Sequence, residues 1–281
     1  MTSNAANSTV FRSIKACGAL FLLRTAESLQ YRVAALASAS ISIFWALIEL
    51  TVYSIFYKYG GMRDNATMSF EQMASYIWLT QMIWAVIPMS VDSEILAKIT
   101  NGDIGVELVR PLDLYVHWFF KIAAGNLGRI WWRALITMLA GVIMPGSFGL
   151  HAPASAAGFA LFLCALVTAF ALSTAFAMLT TVVRMGITWG EGPTYIMFLI
   201  SGVLSGSYLP LVMWPDALQR FLALQPFAGL VELPLRLYVG VTPPSEAWIT
   251  ILVQLIWITI FITLGRILMR HKLRSIIVQG G

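Results

Sequence analysis

The chain has 281 residues, of which 59% are apolar and 11% are charged, with a formal net charge of +5. A soluble domain carries roughly a quarter charged residues and needs a charged skin around its core, so this composition excludes a water-soluble fold and requires lipid as a second solvent. The basic residues stand singly at the ends of apolar segments and form no patch, which argues against nucleic acid as a partner.

The first 32 residues read as a cytoplasmic tail with an interfacial helix, since residues 11–30 mix apolar and basic residues. The short apolar run from Cys17 to Leu23 is followed at once by Arg24, Glu27 and Arg32. That is the wrong order for a cleaved signal, so the segment is expected in the mature protein.

Residues 33–281 then form one transmembrane domain. Six windows of about 20 apolar residues, bounded by charge or by Pro and Gly, are expected to cross as helices. They cover 33–57, 73–91, 125–145, 153–183, 192–211 and 246–268, giving an all-α membrane protein. If both termini share a side, 14 of the 18 Lys and Arg residues fall on it. The positive-inside rule makes that side cytoplasmic.

Within the first window Glu49 is the one acid. At about 1.5 Å per residue it lies about 24 Å along the helix from Val33, past the midplane. A carboxylate there costs a few kcal/mol, so it lines a pathway or sits near the outer headgroups. The absence of a second buried acid or His to relay protons weighs against proton coupling.

The connection 92–113 is the longest on the cytoplasmic side. Asp92 or Ser93 can cap a helix over its first half, and Glu94 favours the positive end of that helix. Asn101 and Gly102 stand where helices commonly end. Val106, Leu108 and Leu112 then alternate with polar residues until Pro111 forbids further helix. With Ile95, Leu96 and Ile99 exposed, the first half reads as a docking surface, against the simpler reading of a solvated loop.

In the third window Lys121, Arg129 and Arg133 share a helix face and are expected to snorkel outward, with Trp131 and Trp132 in an aromatic belt. In the fifth, Gly202 and Gly206 form GxxxG flanked by Ser201 and Ser205, which marks either a subunit contact or internal packing. Residues 212–245 hold two short apolar pieces separated by Pro226, with Asp216, Arg220, Glu232 and Arg236 spread among them. They read as two short re-entrant helices forming an outer gate, or as an amphipathic surface loop.

No nucleotide-binding, metalloprotease or nucleophile motif occurs, and His117, His151 and His271 are isolated. Cys17 and Cys164 have no metal-ligand spacing. The chain is therefore not read as an enzyme, and a partner must supply any energy it uses.

Gly102, Ile104, Leu108, Arg110, Pro111 and Leu112 form one recognisable pattern. Gly206 to Pro210, Pro215, Leu218, Pro226, Phe227, Pro234 and Gly240 form a second. With both, the chain resembles the permease subunits of type-2 ABC exporters, in a bacterial subgroup, from residue 15 onward. The resemblance implies a multi-pass protein of the bacterial cytoplasmic (inner) membrane with a coupling helix within 92–113. It implies as partners the lipid bilayer, two copies of a separate ATPase subunit carrying ATP and Mg, and a second permease, identical or paralogous. The expected coupling residues are Asp92, Glu94, Ile95, Ile99, Asp103, Glu107, Arg110 and Pro111. Glu49, Gly202, Gly206, Tyr208, Pro210, Pro226 and Phe227 are the pathway and gate candidates. The competing functions are an ATP-independent secondary transporter or channel and a non-transporting scaffold.

Overall fold

A computed structural model of the chain describes residues 32–59, 67–87, 91–101, 104–108, 113–185 and 192–275, with Gly18, Leu22, Leu23 and Ala26. The expected interfacial helix lies outside these residues except at the four isolated positions, as do Asp103, Arg110 and Pro111.

Every regular element described is helical. Three helices are long and apolar enough to cross a membrane: Leu36–Tyr59 within α1 (Arg32–Tyr59), Ala156–Arg184 (α6), and Pro244–Arg274, which includes most of α10 (Ala247–Ser275). These correspond to the first, fourth and sixth windows. Several of their hydroxyl side chains turn back on the helix itself: Thr51 donates to the Leu47 carbonyl, Thr180 to that of Phe176 and Thr181 to that of Ala177. These three hydroxyls thereby sit in apolar spans with their donors paired.

The other windows depart from expectation. α2 (Phe70–Ile83) has 14 residues and passes into a 3₁₀ turn at Trp84–Val86. α7 (Gly192–Leu204) has 13 and stops well before residue 211. At about 1.5 Å per residue each measures about 20 Å, short of a hydrocarbon core about 30 Å thick. Local chemistry fixes these ends. Ser69 and Gln72 form a capping box at the start of α2. Gly206, with φ of 84°, takes the left-handed conformation just beyond α7, which favours glycine.

Conversely, α5 (Leu114–Ile143) begins at Leu114, well before 125, because Asp113 caps it by accepting from the Val116 amide. The connection preceding it holds α3 (Ser93–Asn101) and a second short helix, α4 (Ile104–Leu108), where alternation suggested none.

α2 is the enclosed element, with Met73 to Gln81 and Ile83 all buried, and it packs against α1 and α5. α6 packs along α10, while α1 and α10 turn Phe44, Ile55, Leu252 and Ile256 outward as lipid-facing helices must. A separate apolar cluster joins Ile95 and Ile104 to Trp118, Met178 and Met269, where α3 and α4 meet the start of α5 and the ends of α6 and α10.

The region before the last span contains α8 (Asp216–Leu224), a 3₁₀ turn at Pro226–Leu230 and α9 (Glu232–Val239). Two short helices separated at Pro226 match the expectation. α9 is buried except at Arg236, so the surface-loop reading does not hold for it.

Candidate functional site

Among the polar groups that break the apolar interior of the described residues, three bear on the expected site. The first fastens the connection between α2 and α5. Asp92 caps α3 by accepting from the amides of Glu94 at 3.1 Å and Ile95 at 3.0 Å, as expected. Ile95 is fully buried, which corrects the expected exposed surface of Ile95, Leu96 and Ile99. It packs on the cluster around Trp118, and Ile99 packs partly buried beside it. The outward face of α3 is Ser93, Glu94, Ala97 and Asn101.

Glu107 is also buried, 4% exposed, and accepts from Lys98 and, at 2.5 Å, from the Trp118 indole. Burial alone would raise the Glu107 carboxyl. The hydrogen bonds from Lys98 and Trp118 outweigh it and hold its pKa below the usual carboxylate value. The same bond to Glu107 pushes Lys98 above the usual lysine value.

Lys121 belongs to this group too. Instead of snorkelling outward it is 4% exposed, with its ammonium 2.9 Å from Glu94 and 3.6 Å from Asp92. The connection thus stays on the bundle through its own ion pairs, and Glu107 and Lys121 brace it from beneath. Reading the sequence missed Lys98, Trp118 and Lys121 as partners, since no local spacing relates Lys121 to Glu94.

The second group centres on Glu232, which has no exposed surface. Its carboxylate accepts from the Arg236 guanidinium at 2.7 Å, the Leu211 amide at 2.9 Å and the Tyr76 hydroxyl at 2.6 Å. Its own amide donates to the Ser205 carbonyl at 3.0 Å. Glu232 therefore ties α9 to α2 and to the chain leaving α7. It also corrects the expectation of no second buried acid; the signal available was its spacing of four residues from Arg236 in an apolar stretch.

Gly206 lies directly against this node: a Cβ there would come 2.5 Å from the Glu232 carboxylate and 2.9 Å from the Tyr76 hydroxyl. A Cβ at Gly202 would lie 3.2 Å from the Tyr208 ring. Both glycines thus meet groups of the same chain, the internal-packing alternative. Pro210 is buried before Leu211, Pro226 opens its turn at the first position, and Phe227 meets Phe176 edge to face at 5.0 Å. Gln225 ties this turn to α7 by donating to the Leu204 carbonyl at 2.6 Å.

The third group lines a cavity of about 650 Å³ between α1, the end of α2 and α5. Trp45, Trp84 and Tyr208 supply aromatic walls, and Glu49, Gln81 and Arg133 supply polar groups. Glu49 lies on the cavity wall and accepts from Gln81 at 3.3 Å. Tyr208 stacks edge-on against Trp84 at 5.3 Å. The buried Nε of Arg133 has no hydrogen-bond partner among the described residues. Of the expected pathway residues, Glu49 and Tyr208 meet at this cavity, whereas Gly206, Pro210, Pro226 and Phe227 build the Glu232 node and the adjoining turn.

The chain matches the family described as ABC-2 family transporter protein over residues 40–280. No curated protein and no solved structure matches it.

Proposed function

The chain belongs to the ABC-2 transporter family, and from that premise we propose that it is the permease subunit of an ATP-driven exporter in the bacterial cytoplasmic membrane. It crosses the bilayer six times with both termini in the cytoplasm. α1, α5, α6 and α10 cross as single helices, and α2 and α7 cross with the turns that follow them. Two permeases, identical or paralogous, enclose the pathway, and two copies of a separate ATPase hold ATP and Mg. The cavity between Glu49 and Arg133 belongs to the pathway.

The observation that carries this reading is the double fastening of α3. Lys98 and Trp118 converge on Glu107, and Lys121 on Glu94. A helix pinned in this way transmits force into α5 rather than yielding to it, which a coupling element requires. Its outward face, Ser93, Glu94, Ala97 and Asn101, meets the ATPase, while Ile95 and Glu107 act from behind as supports.

An ATP-independent secondary transporter is the second reading, favoured by Glu232 as a buried acid additional to Glu49. Purification from the native host in mild detergent separates the two. The exporter reading expects an ATP-hydrolysing chain to co-elute and transport in liposomes to require ATP. Transport by the permease alone, driven by an ion gradient without ATP, overturns it.

A further inference from the structure

A second, smaller pocket of about 210 Å³ lies between the first turn of α5 and the last turns of α10. Asp113, Tyr115, Arg266, Met269, Arg270 and Leu273 line it. Arg266 and Arg270 are four residues apart on α10, so both project from one helix face. Tyr115 is 5% exposed, and its hydroxyl has no hydrogen-bond partner among the described residues. The buried Nε of Arg266 has none either. The Arg266 guanidinium lies over the Tyr115 ring, 5.3 Å from its centroid. Such stacking fixes the guanidinium plane and leaves its edge donors free to bind an anion.

The one carboxylate in the pocket is committed elsewhere. Asp113 accepts from the Val116 amide at 3.0 Å, capping α5. Two arginines thus line a space whose only acid serves the backbone, and two buried donors without partners, the Tyr115 hydroxyl beside Gly265 and the Arg266 Nε, belong to its lining residues. Leaving buried donors unpaired is costly, so the pocket calls for a multivalent anionic acceptor. A phosphate suits it: its oxygens take a guanidinium in bidentate fashion with acceptors to spare for a phenol.

The position selects the source. α10 is apolar over most of its length and turns basic at its end, with Lys272 and Arg274 in the last turn. The pocket thus stands where hydrocarbon gives way to headgroups, and Met269 and Leu273 offer apolar surface beside it. We infer that Tyr115, Arg266 and Arg270 form a binding site for the phosphate of an anionic phospholipid headgroup. Met269 also belongs to the cluster that seats Ile95 and Ile104, so a bound headgroup braces the ground on which α3 and α4 stand. The site is independent of what the chain transports.

The test is native mass spectrometry of the full chain in detergent with equal amounts of dioleoylphosphatidylglycerol and dioleoylphosphatidylcholine. Each arginine near an anionic group contributes roughly fivefold, so the wild type should retain the anionic lipid over the zwitterionic one by more than tenfold. Arg266→Gln should lose roughly fivefold of that preference, and Tyr115→Phe roughly twofold to threefold with the ring retained. Arg274→Gln, exposed and outside the pocket, should keep the wild-type preference. Equal retention of the two lipids by the wild type, or an Arg266→Gln preference equal to wild type, overturns the site. Should Arg266→Gln fail to fold, Tyr115→Phe decides: an unchanged preference there overturns it. Displacement of the anionic lipid by millimolar inorganic phosphate overturns the lipid source in favour of free phosphate.

Discussion

The Glu232 carboxylate and the Tyr76 hydroxyl, 156 positions apart in the chain, lie 2.6 Å from each other in a wholly buried setting. Glu232→Ala strips the acceptor from Tyr76, Arg236 and the Leu211 amide at once. A buried charge left without its partner costs about 3–5 kcal/mol. Tyr76→Phe removes one bond to a charged acceptor and should cost about 1.5–3 kcal/mol. Denaturation of the purified variants in detergent checks both. A Glu232→Ala protein as stable as wild type would remove Glu232 from its place at the centre of this node.

Gly206 and Gly202, equivalent as a GxxxG pair, should respond differently to alanine. At Gly206 the left-handed backbone alone costs an L-residue about 1–2 kcal/mol. The added Cβ would also press on the Glu232 carboxylate at 2.5 Å. At Gly202 the nearest atom is the edge of a half-exposed Tyr208 ring, which can shift. Gly206→Ala is therefore expected to lower the unfolding midpoint clearly and Gly202→Ala to change it little. Equal loss at both positions would instead indicate a helix-packing seam.

The Lys98–Glu107 pair gives the α3 dock a defined pH window. Glu107 is held below its unfolded value, near 4.3, so its contribution is complete above that pH and is lost as pH falls through the lower folded value. Lys98 is held above its unfolded value, near 10.4, so its contribution is complete below that pH and is lost as pH rises through the folded value. Docking should be flat between these limits. Hydrogen exchange over residues 93–101, followed as pH is lowered well below about 4, should show deprotection that Glu107→Gln shows already at neutral pH. With Lys98 and the Trp118 indole losing a charged acceptor, that substitution should cost about 1.5–3 kcal/mol locally. Unchanged exchange in Glu107→Gln at neutral pH would remove the brace from the account of coupling.

α1, α6 and α10 were legible because length and apolarity are both local properties. The ends of α2 and α7 were not, since a hydropathy window cannot register the capping box at Ser69 or the left-handed turn at Gly206. The Asp92 cap was legible for the same reason that the spans were, being decided within three residues. The orientation of α3 was not. An apolar stripe through Ile95 and Ile99 says that the helix faces something, but not whether that surface belongs to its own chain or to a partner. Lys121 and Glu232 were misread or missed because their partners come from distant elements, and only the assembled fold turns a cation that could snorkel into one that pairs.

Arg133 supplies the sharpest test of the cavity. Its buried Nε has no partner among the described residues, so replacing it removes no internal hydrogen bond to that atom and relieves the cost of a desolvated cation. Arg133→Gln should therefore leave the unfolding midpoint unchanged or slightly raised. If the cavity lies on the transport path, the same substitution removes a charged contact from the passing molecule, a loss of about 1.5–3 kcal/mol. That corresponds to roughly tenfold to a hundredfold in transport efficiency. Arg133→Lys keeps the charge without the fork and should fall between the two. Glu49→Gln, which keeps a group able to pair with Gln81, should change transport more than stability for the same reason. Measured together, stability and ATP-dependent uptake into inverted vesicles distinguish a lining residue from a structural one. A variant at Arg133 that loses stability and transport in parallel would assign the arginine to packing, and the cavity would lose its place on the path.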